Sequence, residues 1–185
     1  RYPRRQNCPE TVFRGSARRT RSLVGKLAQG RATCAARSDL GTALGTGIQA
    51  HNVIATVKHF AVNSMENARF TVDVRVDERT LHEVYLPHFK TCLDAGVASV
   101  MSSYNKLNGE YCGQNRVLLT DILRGEWGFA GFVHSDWVMG VYAPYGAAAG
   151  LDIENPEPLR WGDKLIAAVE SGAIEPQVIE TACRR

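Results

Sequence analysis

An α/β fold is predicted by three features of the sequence. From His51 onward short apolar runs alternate with amphipathic segments, the runs are rich in β-branched residues, and polar or aromatic side chains cluster where each run stops. Parallel strands joined by helices require that alternation. Four runs carry it: "NVIATVKHF" stops at Lys58 and His59, "VASVMSSY" at Tyr104, "GFVHSDW" at Asp136 and Trp137, and "AGLDIEN" near Asp152 and Glu154. The first is almost wholly apolar, which fits a strand buried on both faces.

The segments between the runs have helical spacing. In "DERTLHEVYLPHFKTCLDAG", Leu81, Val84, Tyr85, Phe89, Cys92 and Leu93 recur on one side. Asp77 can cap the start, Gly96 can close the end, and Pro87 should kink or divide the helix because it lacks an N–H donor. "NRVLLTDILRGEWG" places Leu118, Leu119, Ile122 and Leu123 on one stripe, with Gly128 behind it. Near the end, Leu165, Ile166 and Val169 predict a helix, Gly172 a stop, and the remainder a second short helix.

Residues 1–47 read differently and are taken as a divergent, Arg-rich segment ahead of a domain over 48–185. Nine arginines fall within residues 1–37, "SLVGKLAQ" alone suggests a helical turn, and "GTALGTG" reads as a flexible stretch. The whole chain has 185 residues, 44% hydrophobic and 22% charged, with a formal net charge of +3, which suits a globular domain with a real core. The basic arm lacks the aromatic interleaving expected of a nucleic-acid surface, and no apolar run approaches 18 residues, so neither nucleic acid nor a membrane is an expected partner. Five scattered cysteines form no CxxC pair and no zinc spacing, so no metal is expected.

In a (β/α)8 barrel the C-terminal ends of the strands converge on one mouth, where catalytic groups sit. Lys58, His59, Tyr104, Asp136 and Trp137 would then share a pocket. Each has an ordinary reading too: Asp136 as a helix N-cap, Lys58 as a surface charge, His59 as a satisfied half-buried imidazole, Tyr104 as a strand-end aromatic, Trp137 as core. Four polar strand ends in phase make that set of separate explanations the poorer one.

From about His51 to Arg185 the chain resembles the N-terminal barrel domain of glycoside hydrolase family 3, through "VKHFAVNSMENARF", "VDERTLHEVYLPHF", "VMSSYNKLNGEYCGQN", "LLTDILRGEWGFAGFVHSDW" and "AGLDIENPEP" in order. The resemblance implies part of a TIM-type barrel, with four of its βα units present and the first strands outside the chain. It implies hydrolysis of terminal β-D-glucosyl residues with retention and no cofactor. Asp136 would be the nucleophile; Lys58 and His59 would bind sugar hydroxyls; Met101, Tyr104 and Trp137 would line the pocket; and Asn63, Glu66 and Arg69 would brace the loop after "KHF". A Lys58 ammonium near Asp136 would favour the ionised carboxylate.

The general acid has no counterpart among these motifs and would come from a later domain. Ahead of "GIQAHNV" the family's "GRN(F/W)E" and "S.DP" elements have no match. Other readings remain: a truncated barrel that binds sugar weakly or is inactive, a β-xylosidase, a β-N-acetylhexosaminidase (whose branch resembles "KHFPGHG" where this chain has "KHFAVNS"), or an aldolase forming a Schiff base on Lys58.

Overall fold

A computed structural model describes residues 31–185, with side chains from Ser38 onward. Helix α1 (Arg31–Gln49) leads into strand β1 (Thr56–Phe60), then β2 (Asp73–Val74), α2 (Glu78–Thr80) and α3 (Pro87–Asp94). Strands β3 (Ser99–Ser102), β4 (Lys106–Leu107) and β5 (Glu110–Tyr111) follow, then a helix over Val117–Glu126 and β6 (Phe132–His134). Helices α4 (Gly146–Ala149), α5 (Asp163–Glu170) and α6 (Pro176–Arg184) complete the order.

The strands predicted from the first three apolar runs pair in parallel, in the order β1-β3-β6. The fourth run contributes Ile153, which bridges to His134 in parallel. Four successive runs therefore lie side by side in sequence order. Side chains alternate across this sheet. Val57, Val100 and Val133 face the helices and join Leu86, Phe89, Leu118, Leu119 and Leu123 in the core. Thr56, Ser99 and His134 meet on the other face through their side-chain polar atoms.

The expectation that the first strand is buried on both faces does not hold. Val53 and Ile54 are exposed and precede β1, and Thr56 and Lys58 are exposed within it. Strand β1 pairs only with β3 within this sheet and nothing described covers its inner face. Its β-branched run is a sequence signal for packing that the described residues supply on one side alone.

The helix predictions hold in detail. Asp77 accepts the Thr80 N–H at 2.9 Å, the first segment divides at Leu86 and Pro87, and Gly96 follows α3 with φ +95°. Leu118, Leu119, Ile122 and Leu123 are buried, each worth about 1.5–3 kcal/mol of apolar transfer. That helix and the turn at Leu81–Tyr85 are wound wider than an α-helix, with i to i+5 bonds such as Trp127 N–H to Ile122 O and Leu86 N–H to Leu81 O.

The flexible reading of "GTALGTG" is corrected: those residues form the second half of α1. Gly41 and Gly45, four apart, bring the helix against its neighbours. A Cβ on Gly41 would lie 3.0 Å from Cys92 Sγ, and one on Gly45 would overlap Val97 Cγ2. The glycines allow close packing here, which composition alone cannot distinguish from looseness. Gln49 locks the helix end, donating to Gly96 O and accepting the Ala98 N–H at 2.9 Å. "SLVGKLAQ" lies outside the described residues.

A second small sheet, β2-β4-β5, was not foreseen. Its hairpin turns on Asn108 and Gly109, both with positive φ, and "NG" between apolar residues is the signal that marks it. Among the described residues no helix is long and apolar enough to cross a membrane.

Candidate active site

The C-terminal ends of β1, β3 and β6 deliver His59, Tyr104 and Asp136 to one place. Asp136 is buried, and its Oδ2 lies 3.3 Å from His59 Nε2. Its Oδ1 accepts the Trp137 N–H at 2.7 Å. That bond goes to the next residue, and the segment that follows is a turn, so Asp136 is not serving as a helix N-cap. Tyr104, also buried, donates its hydroxyl to Trp137 O at 2.7 Å. Burial, reinforced by the Asp136 charge beside it, pushes the Tyr104 hydroxyl up to about 12, so it remains a donor at neutral pH.

Trp137 is 61% exposed and Lys58 is exposed as well, while Met101 is half-buried opposite His134 in the β3–β6 register. The direct partner of the Asp136 carboxylate is His59, where the sequence had suggested Lys58. Lys58 acts electrostatically on His134, whose imidazole is held below its ordinary value mainly by burial.

Asn63, Glu66 and Arg69 form a linked set. Asn63 Nδ2 donates to Glu66 Oε1 at 2.9 Å, and Arg69 donates to Glu66 Oε2 at 3.0 Å. The Arg69 guanidinium also lies 5.1 Å from the Tyr104 ring centroid and 4.9 Å from that of Phe70.

Several residues that hold the site escaped the sequence reading. The Ala61 carbonyl, just past β1, accepts from Ser103 Oγ at 2.8 Å and Asn105 Nδ2 at 3.3 Å, both fully buried. These bonds tie the His59 arm to the β3 loop, and the small polar run "SSYN" directly after an apolar strand was the available signal. Beneath Asp136 a polar layer crosses all four runs. Thr56 Oγ1 donates to Ser99 Oγ at 3.0 Å and lies 3.4 Å from His134 Nε2; His134 Nδ1 lies 3.0 Å from Asn155 Nδ2; and the Asn155 N–H donates to Ser135 Oγ at 2.8 Å. Thr56 is exposed and Asn155 half-buried, so the layer runs from the buried Ser99 and Ser135 out to solvent.

The backbone around Asp136 is tightly folded. Val138 and Val62, both β-branched, have φ near +60° within three residues of Asp136 and His59. Gly140 packs so closely that an added Cβ would sit 2.6 Å from Asp136 N. A cavity of about 720 Å³ runs along the outer flank of β1 past Lys58 and His59, but Asp136 does not line it. Among the described residues no group of His, Cys, Asp and Glu could hold a metal ion.

A parallel sheet that presents a buried carboxylate, a basic donor and exposed aromatic surface at its C-terminal edge defines an α/β protein whose polar and aromatic groups gather where such folds carry their sites. Residues 31–185 match the family model described as the Glycosyl hydrolase family 3 N terminal domain, and the chain belongs to that family. It is 49% identical over 141 residues to a β-glucosidase from Rhizobium radiobacter, covering 75% of this chain and 17% of that protein. A β-glucosidase from Streptomyces venezuelae, solved in complex with D-glucose, superposes with a TM-score of 0.74 at 37% identity, covering 78% of this chain and 20% of the other. One from Kluyveromyces marxianus superposes with a TM-score of 0.76 at 37% identity, over 80% and 18% of the two chains. The chain thus spans about a fifth of the length of the relatives it matches.

Proposed function

We propose that this chain is the nucleophile-bearing part of a (β/α)8 barrel in an exo-acting, retaining β-glucosidase. The observation that carries the reading is the buried Asp136 carboxylate, gripped by His59 and by the Trp137 N–H just past the end of β6. The β-glucosidase relatives and the D-glucose complex of a structural neighbour support the substrate class.

In the first step an Asp136 oxygen attacks the anomeric carbon, the glycosidic C–O bond breaks, and the leaving oxygen takes the electron pair and a proton from a general acid. No carboxylic acid of this chain is assigned that role. Lys58 and His59 donate to sugar hydroxyls, bonds that strengthen as positive charge develops on the ring. Tyr104 and Met101 line the pocket floor, and Trp137 offers its indole face to the sugar. Water then cleaves the glycosyl ester, restoring the carboxylate with overall retention.

A second reading, sugar binding without turnover, is favoured by the exposed inner face of β1. Azide separates the two. With 2,4-dinitrophenyl β-glucoside, whose leaving group needs no proton, azide should intercept the glycosyl ester and yield β-glucosyl azide, read by NMR. Formation of the α-azide, or of no azide adduct, would contradict the double-displacement reading.

A further inference from the structure

The sheet has two open flanks, and an apolar groove lies along each. At the β1 flank the cavity of about 720 Å³ runs between the strand and helices α1 and α3, against Leu44, Ile48, Val57 and Phe89. At the flank of the fourth run a second cavity, of about 830 Å³, lies between Ile153 and helices α5 and α6, against Trp161, Leu165, Ile166 and Ile179. Each borders a run that has no neighbour on that side within the sheet among the described residues. Leu44 and Ile166, one in each groove, are 66% and 56% exposed. Exposed apolar grooves rimmed by polar groups mark interaction sites.

The two grooves carry opposite charge. The first holds Lys58, with His59 and His88 beside it, and neither Asp nor Glu among its described lining residues. The second holds Asp152, Glu154, Glu157, Glu170 and Glu180, and neither Lys nor Arg among its described lining residues. Asp152, Glu154 and Glu180 are engaged within the chain, by Arg124 and Arg185, by the Arg160 and Trp161 N–H groups, and by Arg184. Lys58, Glu157 and Glu170 are exposed and enter no ion pair among the described residues.

We propose that a second copy of this chain docks head to tail on the first, the β1 flank of each against the fourth-run flank of the other. The paired runs are all parallel, so a two-fold axis along them keeps every strand pointing the same way. The two junctions are then equivalent, and four runs from each copy close a ring of eight. Each junction sets the acidic groove of one copy against Lys58 of the other and covers the β1 flank beside His59, so the candidate site is walled by both chains. The pairing does not depend on the role of Asp136.

Sedimentation equilibrium of the full chain tests this. The expected result is a concentration-dependent equilibrium between one chain and two, with no larger species. Leu44→Asp sets a carboxylate against the acidic groove, and Ile166→Lys sets a cation against Lys58. Each should raise the dissociation constant at least about tenfold, since like charges brought together at an interface cost that much or more. Both positions are exposed in the single chain, so the circular dichroism of each variant should match the parent. A mass of one chain at every concentration would overturn the proposal and leave the grooves to another segment or partner. An open-ended series of masses would overturn it too, because head-to-tail contacts that fail to close propagate. So would weakening by only one of the two substitutions, since the grooves would then not face each other.

Discussion

His59 Nε2 lies 3.3 Å from Asp136 Oδ2, although the two residues come from strands separated by β3 and are 77 positions apart. The contact spans the sheet at its C-terminal edge and joins the first and last strands of the β1-β3-β6 order.

Substitution of His59 by Ala should slow covalent trapping of Asp136 by about 10- to 100-fold, the worth of one hydrogen bond to a charged group. His59→Gln, which keeps a donor, should lose less. Labelling rates followed by intact mass spectrometry measure both, and equal losses would mean that the imidazole acts through something other than donation.

Gly140→Ala should displace the Asp136 backbone, because the added methyl meets Asp136 N at 2.6 Å. Trapping should fall by at least tenfold while the circular dichroism spectrum stays that of a folded chain, a local misplacement being enough to cost that much. Trapping at the unmutated rate would show that the loop gives way freely.

His134 sets a pH dependence on stability. Burial depresses its folded-state pKa below the ordinary imidazole value of 6.5, opposed by the Ser135 carbonyl and the Asp136 charge and assisted by Lys58. A base that is harder to protonate when folded contributes stability above its unfolded pKa, and that contribution is lost as pH falls through the folded value. The melting temperature should therefore drop below about pH 6.5, and His134→Gln should flatten that limb. An unchanged limb in the variant would assign it to other groups.

The Asp152 side chain is almost fully buried and serves three partners, Arg124 at 2.6 Å, Arg185 at 2.9 Å and the Val133 N–H at 2.7 Å. Arg124 in turn binds the Phe129 and Gly131 carbonyls. Asp152→Ala would strand a mostly buried guanidinium and a strand N–H, at a cost of about 3–5 kcal/mol, read from the urea midpoint. A midpoint within error of the parent would show that water replaces the carboxylate.

The sequence was most informative where one physical cause dominated. Periodicity placed Leu118 to Leu123 in the core, Asp77 and Pro87 punctuated the helix between them as capping and the missing N–H require, and the strand ends located the candidate site. It was least informative where meaning depends on a distant neighbour. Gly41 and Gly45 read as loose until Cys92 and Val97 stand against them. The His134–Thr56–Asn155 layer joins residues up to 99 positions apart, a proximity that no local pattern encodes. The hairpin at Asn108–Gly109 is by contrast local, an NG pair whose positive φ angles suit the turn between β4 and β5.

The most direct test of the account is peptide mapping after reaction of the chain with 2,4-dinitrophenyl 2-deoxy-2-fluoro-β-glucoside. The account predicts one fluoroglucosyl group, carried on the peptide that contains Asp136 and lost in Asp136→Asn. A folded chain that stays unlabelled, or that carries the sugar on another carboxylate, would contradict it.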